Sequence, residues 1–143
     1  MKERARKEIL GKEKCGGKEK RGSMVKFDST SFGEVWINGQ KHGDVLIVEG
    51  EIIPRDIGNL KKIFGTSHRI SEDEANKLLE GKPEYIVIGK GQDGVLQIDD
   101  SIMKKFESAG VQLIDLETPE AIEKFNELHS KRKKVNALIH TTC

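Results

Sequence analysis

Aromatic side chains are scarce, with one Trp, one Tyr and five Phe among 143 residues, and none falls in the first 23 positions. A basic segment without interleaved aromatics lacks the stacking groups with which proteins hold single-stranded nucleic acid. Cysteine is nearly absent as well. Cys15 and Cys143 cannot build a disulfide framework, and their sparseness suits a reducing compartment. No run approaches the roughly 18 apolar residues of a membrane span, and the N-terminus has no apolar stretch of the kind a secretory signal carries. A cytoplasmic location is expected. Neither sign of charge dominates, since 25 Lys and Arg stand against 24 Asp and Glu.

That balance hides an asymmetry. Residues 1–23 hold nine Lys or Arg against four Glu, whereas residues 24–143 hold sixteen against twenty Asp or Glu. The first segment also nearly repeats itself, Gly11-Lys12-Glu13-Lys14 followed by Gly17-Lys18-Glu19-Lys20, with too few apolar residues to bury a face. It reads as a flexible basic tail, dispensable for stability, and Met24-Val25-Lys26-Phe27 reads as the start of a single domain over 24–143.

The domain is organised around Tyr85-Ile86-Val87-Ile88 and the loop Gly89-Lys90-Gly91-Gln92-Asp93-Gly94. β-favouring residues between Pro83 and a glycine cluster predict a buried strand ending in a tight loop. Val111–Leu116 and Val135–Ile139 are two more such strands, each preceded by an amphipathic stretch, the alternation that builds a parallel sheet covered by helices. Ahead of them, Phe32–Ile37 alternates up to Asn38-Gly39, and Asp44–Val48 pairs with Glu51–Pro54 across Glu49-Gly50. Both junctions favour tight hairpins. The expected fold is α/β and three-layered, with a mixed and mostly parallel central sheet, helices on it, and an N-terminal antiparallel β unit.

Helix signals are equally local. Arg55–Phe64 is ambiguous, with a short helix over Leu60, Ile63 and Phe64 as one reading. Ser71-Glu72-Asp73-Glu74 forms a capping box ahead of Ala75, Leu78 and Leu79, with a stop at Gly81. Asp99 or Asp100 is expected to cap a helix buried through Ile102, Met103 and Phe106 and closed by Gly110. Thr118-Pro119-Glu120 opens the last helix, with Thr118 as its cap and Ala121, Ile122, Phe125 and Leu128 inward. His129 and His42 are read as structural, and Lys131–Lys134 as a complement to the helix dipole.

In strand–helix–strand units the helix starts and strand ends share one edge of the sheet, where open α/β sheets place ligands. This predicts a pocket from Thr66, Ser67, His68, Gly89, Lys90, Gly91, Gly94, Thr118, His140, Thr142 and Cys143. Helix N-termini, loop amides and Lys90 favour a small anion there, and His68 and His140 are the edge's expected titratable groups. Gly89-x-Gly91-x-x-Gly94 after a strand, with Asp115 near the end of the next, imitates a dinucleotide fingerprint. However, Val95–Ile98 intervenes where a helix must begin, so no nucleotide cofactor is expected. His68, His140 and Cys143 could ligate zinc, but no second Cys pair supports a site, and no metal is expected. The same three residues are the candidates for catalysis, although nothing in the sequence lowers the Cys143 thiol pKa.

Phe32-Gly33, Pro54-Arg55, Gly65-Thr66-Ser67-His68, Ile88-Gly89-x-Gly91-x-x-Gly94-x-Leu96, Thr118-x-Glu120-Ala121 with Asn126, and Ile139-His140-x-Thr142-Cys143 together form a specific pattern. It resembles the Mth-type domain of unknown function. That family includes archaeal proteins, an adipogenesis-associated Mth domain-containing protein and a mitochondrial complex I assembly factor. The resemblance spans residues 24–143 and implies a three-layer α/β fold; it brings no established enzymatic role or cofactor. Two function classes follow. One is a non-catalytic accessory protein that binds a protein partner or a small anion at the carboxyl edge, as a monomer or homodimer. The other is a small-molecule enzyme using His68, His140 and Cys143.

Overall fold

A computed structural model describes residues 24–143; the basic tail, with Cys15, lies outside the described residues. Three short strands come first: β1 (Phe27–Ser31), β2 (Glu34–Ile37) and β3 (Gln40–His42), an antiparallel sheet of their own. The stretch expected as one strand from Phe32 is broken earlier. Gly33 adopts a left-handed φ of 85°, so Phe32-Gly33 is a turn and Phe32 points outward at 66% exposure. The Asn38-Gly39 junction turns as expected, with both residues at positive φ, as a two-residue primed hairpin demands.

The second hairpin, β4 (Val45–Val48) and β5 (Glu51–Pro54), turns on Glu49-Gly50, again both at positive φ. It joins the main sheet. With β6 (Tyr85–Lys90), β7 (Gln112–Leu116) and β8 (Val135–His140) the order is β5-β4-β8-β6-β7. The β6–β7 and β6–β8 ladders are parallel, and the β4–β5 and β4–β8 ladders antiparallel. The sheet is therefore mixed.

Its central strands alternate side chains between two apolar layers, which is why they read as continuous hydrophobic runs. Val45, Ile47, Val87, Ala137 and Ile139 face one way, against α4 (Thr118–Ser130) and the small sheet. Leu46, Val48, Ile86, Ile88 and Leu138 face the other, against α2 (Glu72–Leu78) and α3 (Asp100–Ser108). The ambiguous segment forms α1 (Ile57–Phe64), capped by Asp56 and closed by Gly65 in the left-handed conformation.

Two asparagines join the layers. Asn126 on α4 accepts the Phe27 N–H at 2.9 Å and donates to the Phe27 carbonyl at 2.8 Å, satisfying both backbone groups of a buried residue of β1. Asn136, buried on β8, donates to Leu78 and Glu80 carbonyls and accepts from Glu49 N–H. His129 is structural as read: its ring stacks on Phe125, and Nε2 accepts the Val25 N–H.

Candidate functional site at the carboxyl edge

Because β6, β7 and β8 are parallel, their ends share one edge, and Lys90 lies in register with His140. The antiparallel neighbours extend this row. Val45 pairs with Ile139 and with Pro54, so Asp44 comes opposite His140 on one side and Arg55 on the other. Successive residues alternate faces, and all three therefore project toward the α2 layer.

There they form a buried ionic network. Arg55 holds Glu74 of α2 with two bonds, Nε to Oε2 at 2.7 Å and Nη2 to Oε1 at 3.0 Å. It also donates to Asp44 at 3.1 Å and to the Ser67 and Arg69 carbonyls. Glu74 meanwhile completes the capping box with Ser71, as the sequence predicts. One guanidinium thus fixes the helix start, the 66–69 loop and the edge row together.

Asp44 receives four hydrogen bonds. They come from Arg55 Nη1, His140 Nδ1 at 2.7 Å, Thr141 N–H at 2.7 Å and Thr141 Oγ1 at 2.6 Å. Burial alone pushes this carboxyl up, but the donors from His140 and Thr141 outweigh it and hold the pKa at about 2. An ionised carboxylate only accepts, so His140 carries a proton on Nδ1. The other ring nitrogen, Nε2, faces the Thr142 hydroxyl 3.2 Å away, and in the neutral tautomer with its proton on Nδ1 this nitrogen is an acceptor. His140 is fully buried, while Thr142 is partly exposed. The His68 ring meets the His140 ring edge-on with centroids 5.0 Å apart, and among the described residues its nitrogens have no hydrogen-bond partner.

The glycine loop is occupied by the chain itself. Gly91 N–H bonds to the Thr118 hydroxyl, Gln92 to the Thr142 carbonyl, and Asp93 and Val95 to the Cys143 main-chain oxygen. Gly94, Leu96 and Gln97 bond to the Gly91, Lys90 and His68 carbonyls. Every amide from Gly91 to Gln97 therefore has an acceptor within the protein, and the passage from Val95 leads to α3 only at Asp100. The glycines have steric tasks instead. A Cβ on Gly89 would lie 2.9 Å from Thr118 Oγ1; one on Gly91, whose φ is 103°, would strike the Cys143 main chain and come within 2.9 Å of the His140 ring. The dinucleotide-like spacing is what lets the loop lie against the His140–Cys143 segment.

Other expected groups are placed differently. Thr118 does not cap α4: Glu117 holds that position, and Thr118 is buried with its hydroxyl donating to the His140 carbonyl. Tertiary bonding has taken a side chain that local propensity would use for capping. Asp99 stands at the N-cap of α3, but its carboxylate pairs with Arg69 at 2.6 Å instead of bonding the helix amides. Lys90 pairs with Asp115 at 3.3 Å, so its charge is partly offset. Thr66 accepts the His68 N–H. The structure thus brings Ser67, His68, Gly91, Thr118, His140, Thr142 and Cys143 together, with Lys90 at the rim. Asp44 and Arg55, which organise the edge, are absent from the sequence-derived site.

A cleft of about 580 Å³ opens at the opposite edge, between Pro83, Glu49, Lys133 and Met24. It contains none of the buried ionic network, which is the stronger mark of a functional site.

The family model for a protein of unknown function (DUF498/DUF598) matches residues 27–140. The chain belongs to this family. Among solved structures it is similar to MT938, with 35% identity and a TM-score of 0.69, over 84% of this chain and 100% of that one. It is also similar to a conserved hypothetical protein, PH1505, from Pyrococcus horikoshii OT3, with 33% identity and a TM-score of 0.73, over 82% and 99%. A Bordetella pertussis protein described as a Mth938-like domain shares the fold at 14% identity and a TM-score of 0.56, over 89% of this chain and 92% of that one. The Mth-type resemblance and the expected fold are thereby shown. Among the described residues, no helix is long and apolar enough to cross a membrane.

Proposed function

We propose that this protein is an accessory binding protein whose carboxyl edge recognises a small anionic group, free or carried on a protein partner. The observation that supports it is the buried Asp44, which sets His140 beneath a rim of His68, Thr142 and Lys90. A buried ionic network costs desolvation that an apolar core would avoid, and groups held this way are candidates for function. The loop amides are committed internally, so binding falls to side chains: the His68 ring, the Thr142 hydroxyl and the partly offset Lys90. Modest affinity follows. A phosphate titration followed by backbone NMR tests the reading. Shifts concentrated at 66–68, 89–94 and 140–143 support it; an unmoved edge, or shifts confined to the cleft around Pro83 and Lys133, overturn it.

A further inference from the structure

We infer that the Thr142 hydroxyl is an activated nucleophile, served by His140 as base and oriented by Asp44, for a ligand that carries an ester. This rests on the carboxyl edge being the ligand site and names a substrate class for it.

The geometry follows hydroxyl, imidazole and carboxylate in sequence. Thr142 Oγ1 lies 3.2 Å from His140 Nε2, and Nδ1 lies 2.7 Å from Asp44. Three further donors, from Arg55 and Thr141, keep Asp44 acceptor-only, so the ring holds its proton on Nδ1 and leaves Nε2 free to take one. This is the arrangement that activates a hydroxyl, recognised by geometry and not by order in the chain. The side chains of the base and its orienting acid are buried, while Thr142 is a partly exposed residue. Thr141, the neighbouring hydroxyl, is engaged by Asp44. Cys143, the nucleophile expected from sequence, has no hydrogen bond from its thiol to either histidine among the described residues.

The step balances without a cofactor. Thr142 Oγ1 bonds to the carbonyl carbon as its proton passes to His140 Nε2. The alkoxy C–O bond breaks, and the departing oxygen takes that proton. Water then attacks the acyl-threonine by the same base, returning the hydroxyl and releasing the carboxylic acid; ester and water become acid and alcohol. The amides of the glycine loop are already bonded and cannot stabilise the developing oxyanion. The His68 ring, with its nitrogens unpartnered among the described residues, is the donor at hand.

Diisopropyl fluorophosphate supplies a direct probe, since an activated hydroxyl displaces its fluoride and keeps the phosphoryl group. Peptide mass spectrometry should find the adduct on Thr142 of the native protein, forming about a hundredfold faster than in urea-unfolded protein. Thr142→Ser should keep the reaction and Thr142→Val should abolish it; both leave Asp44, Arg55 and His140 in place. An adduct forming on Thr142 no faster in native than in unfolded protein, or labelling unaffected by Thr142→Val, overturns the inference. The phosphate titration on the unmodified protein separates the two proposals: edge shifts without labelling refute reactivity and leave binding intact, whereas an unmoved edge refutes binding itself.

Discussion

Asp44 ties distant segments together at the edge, joining the start of β4 to His140 and Thr141 at 96 and 97 residues' remove and to Arg55 just beyond β5. Its folded pKa of about 2 lies below the 3.8 of an unperturbed Asp. A depressed carboxyl contributes stability that is complete above the unfolded value and is lost as pH falls through the folded one. Between about pH 4 and pH 2 the fold should lose about 2 kcal/mol from this group. Urea melts across that window should show it, and Asp44→Asn should be less stable at pH 7 but show a shallower acid slope. Arg55 is the second pivot. Removing it leaves Asp44 and Glu74 buried without the guanidinium that pairs with both, so Arg55→Met should cost about 3–5 kcal/mol in the same assay. Neither residue was legible as a site component. Asp44 follows Gly43 and reads as a strand start, and Arg55 follows Pro54 and reads only as the start of the ambiguous segment to Phe64; only register across three strands puts them beside His140. His68 and His140, by contrast, could be placed together from the sequence, because topology alone sends both to one edge.

Elements were legible where one local rule sufficed. The capping box at Ser71, the hairpins at Asn38-Gly39 and Glu49-Gly50, and the buried runs of β4, β6 and β8 each declare themselves within a few residues. Misreadings arose where tertiary bonds or a glycine turn compete with local pattern: Thr118 bonds to His140 and Gly91 instead of capping α4, and Gly33 makes a turn of Phe32-Gly33, so the strand expected from Phe32 begins at Glu34. The glycine loop carries a prediction at this scale. Gly91→Ala meets both a left-handed φ and the Cys143 main chain, and should cost more than about 2 kcal/mol. A midpoint shift in urea checks it. Asn126→Ala leaves both Phe27 backbone groups without their partner at a cost of about 1–3 kcal/mol. Amide exchange should then quicken in β1 more than in β6.

At the scale of the molecule, three parallel strand ends and one antiparallel hairpin build a single edge. Two apolar layers make the sheet rigid, and the network of Arg55, Glu74 and Asp44 uses buried charge to hold one imidazole in one orientation. Recognition by His68, Thr142 and Lys90, and reactivity of the Thr142 hydroxyl, both depend on that orientation. The direct measurement is the tautomer of His140, read from long-range ¹H–¹⁵N correlations of ¹⁵N-histidine-labelled protein at about pH 8, above the ordinary histidine pKa. A proton on Nδ1 and a bare Nε2 are predicted, with the pattern lost in Asp44→Asn. A proton found on Nε2 in the unmodified protein would contradict this arrangement.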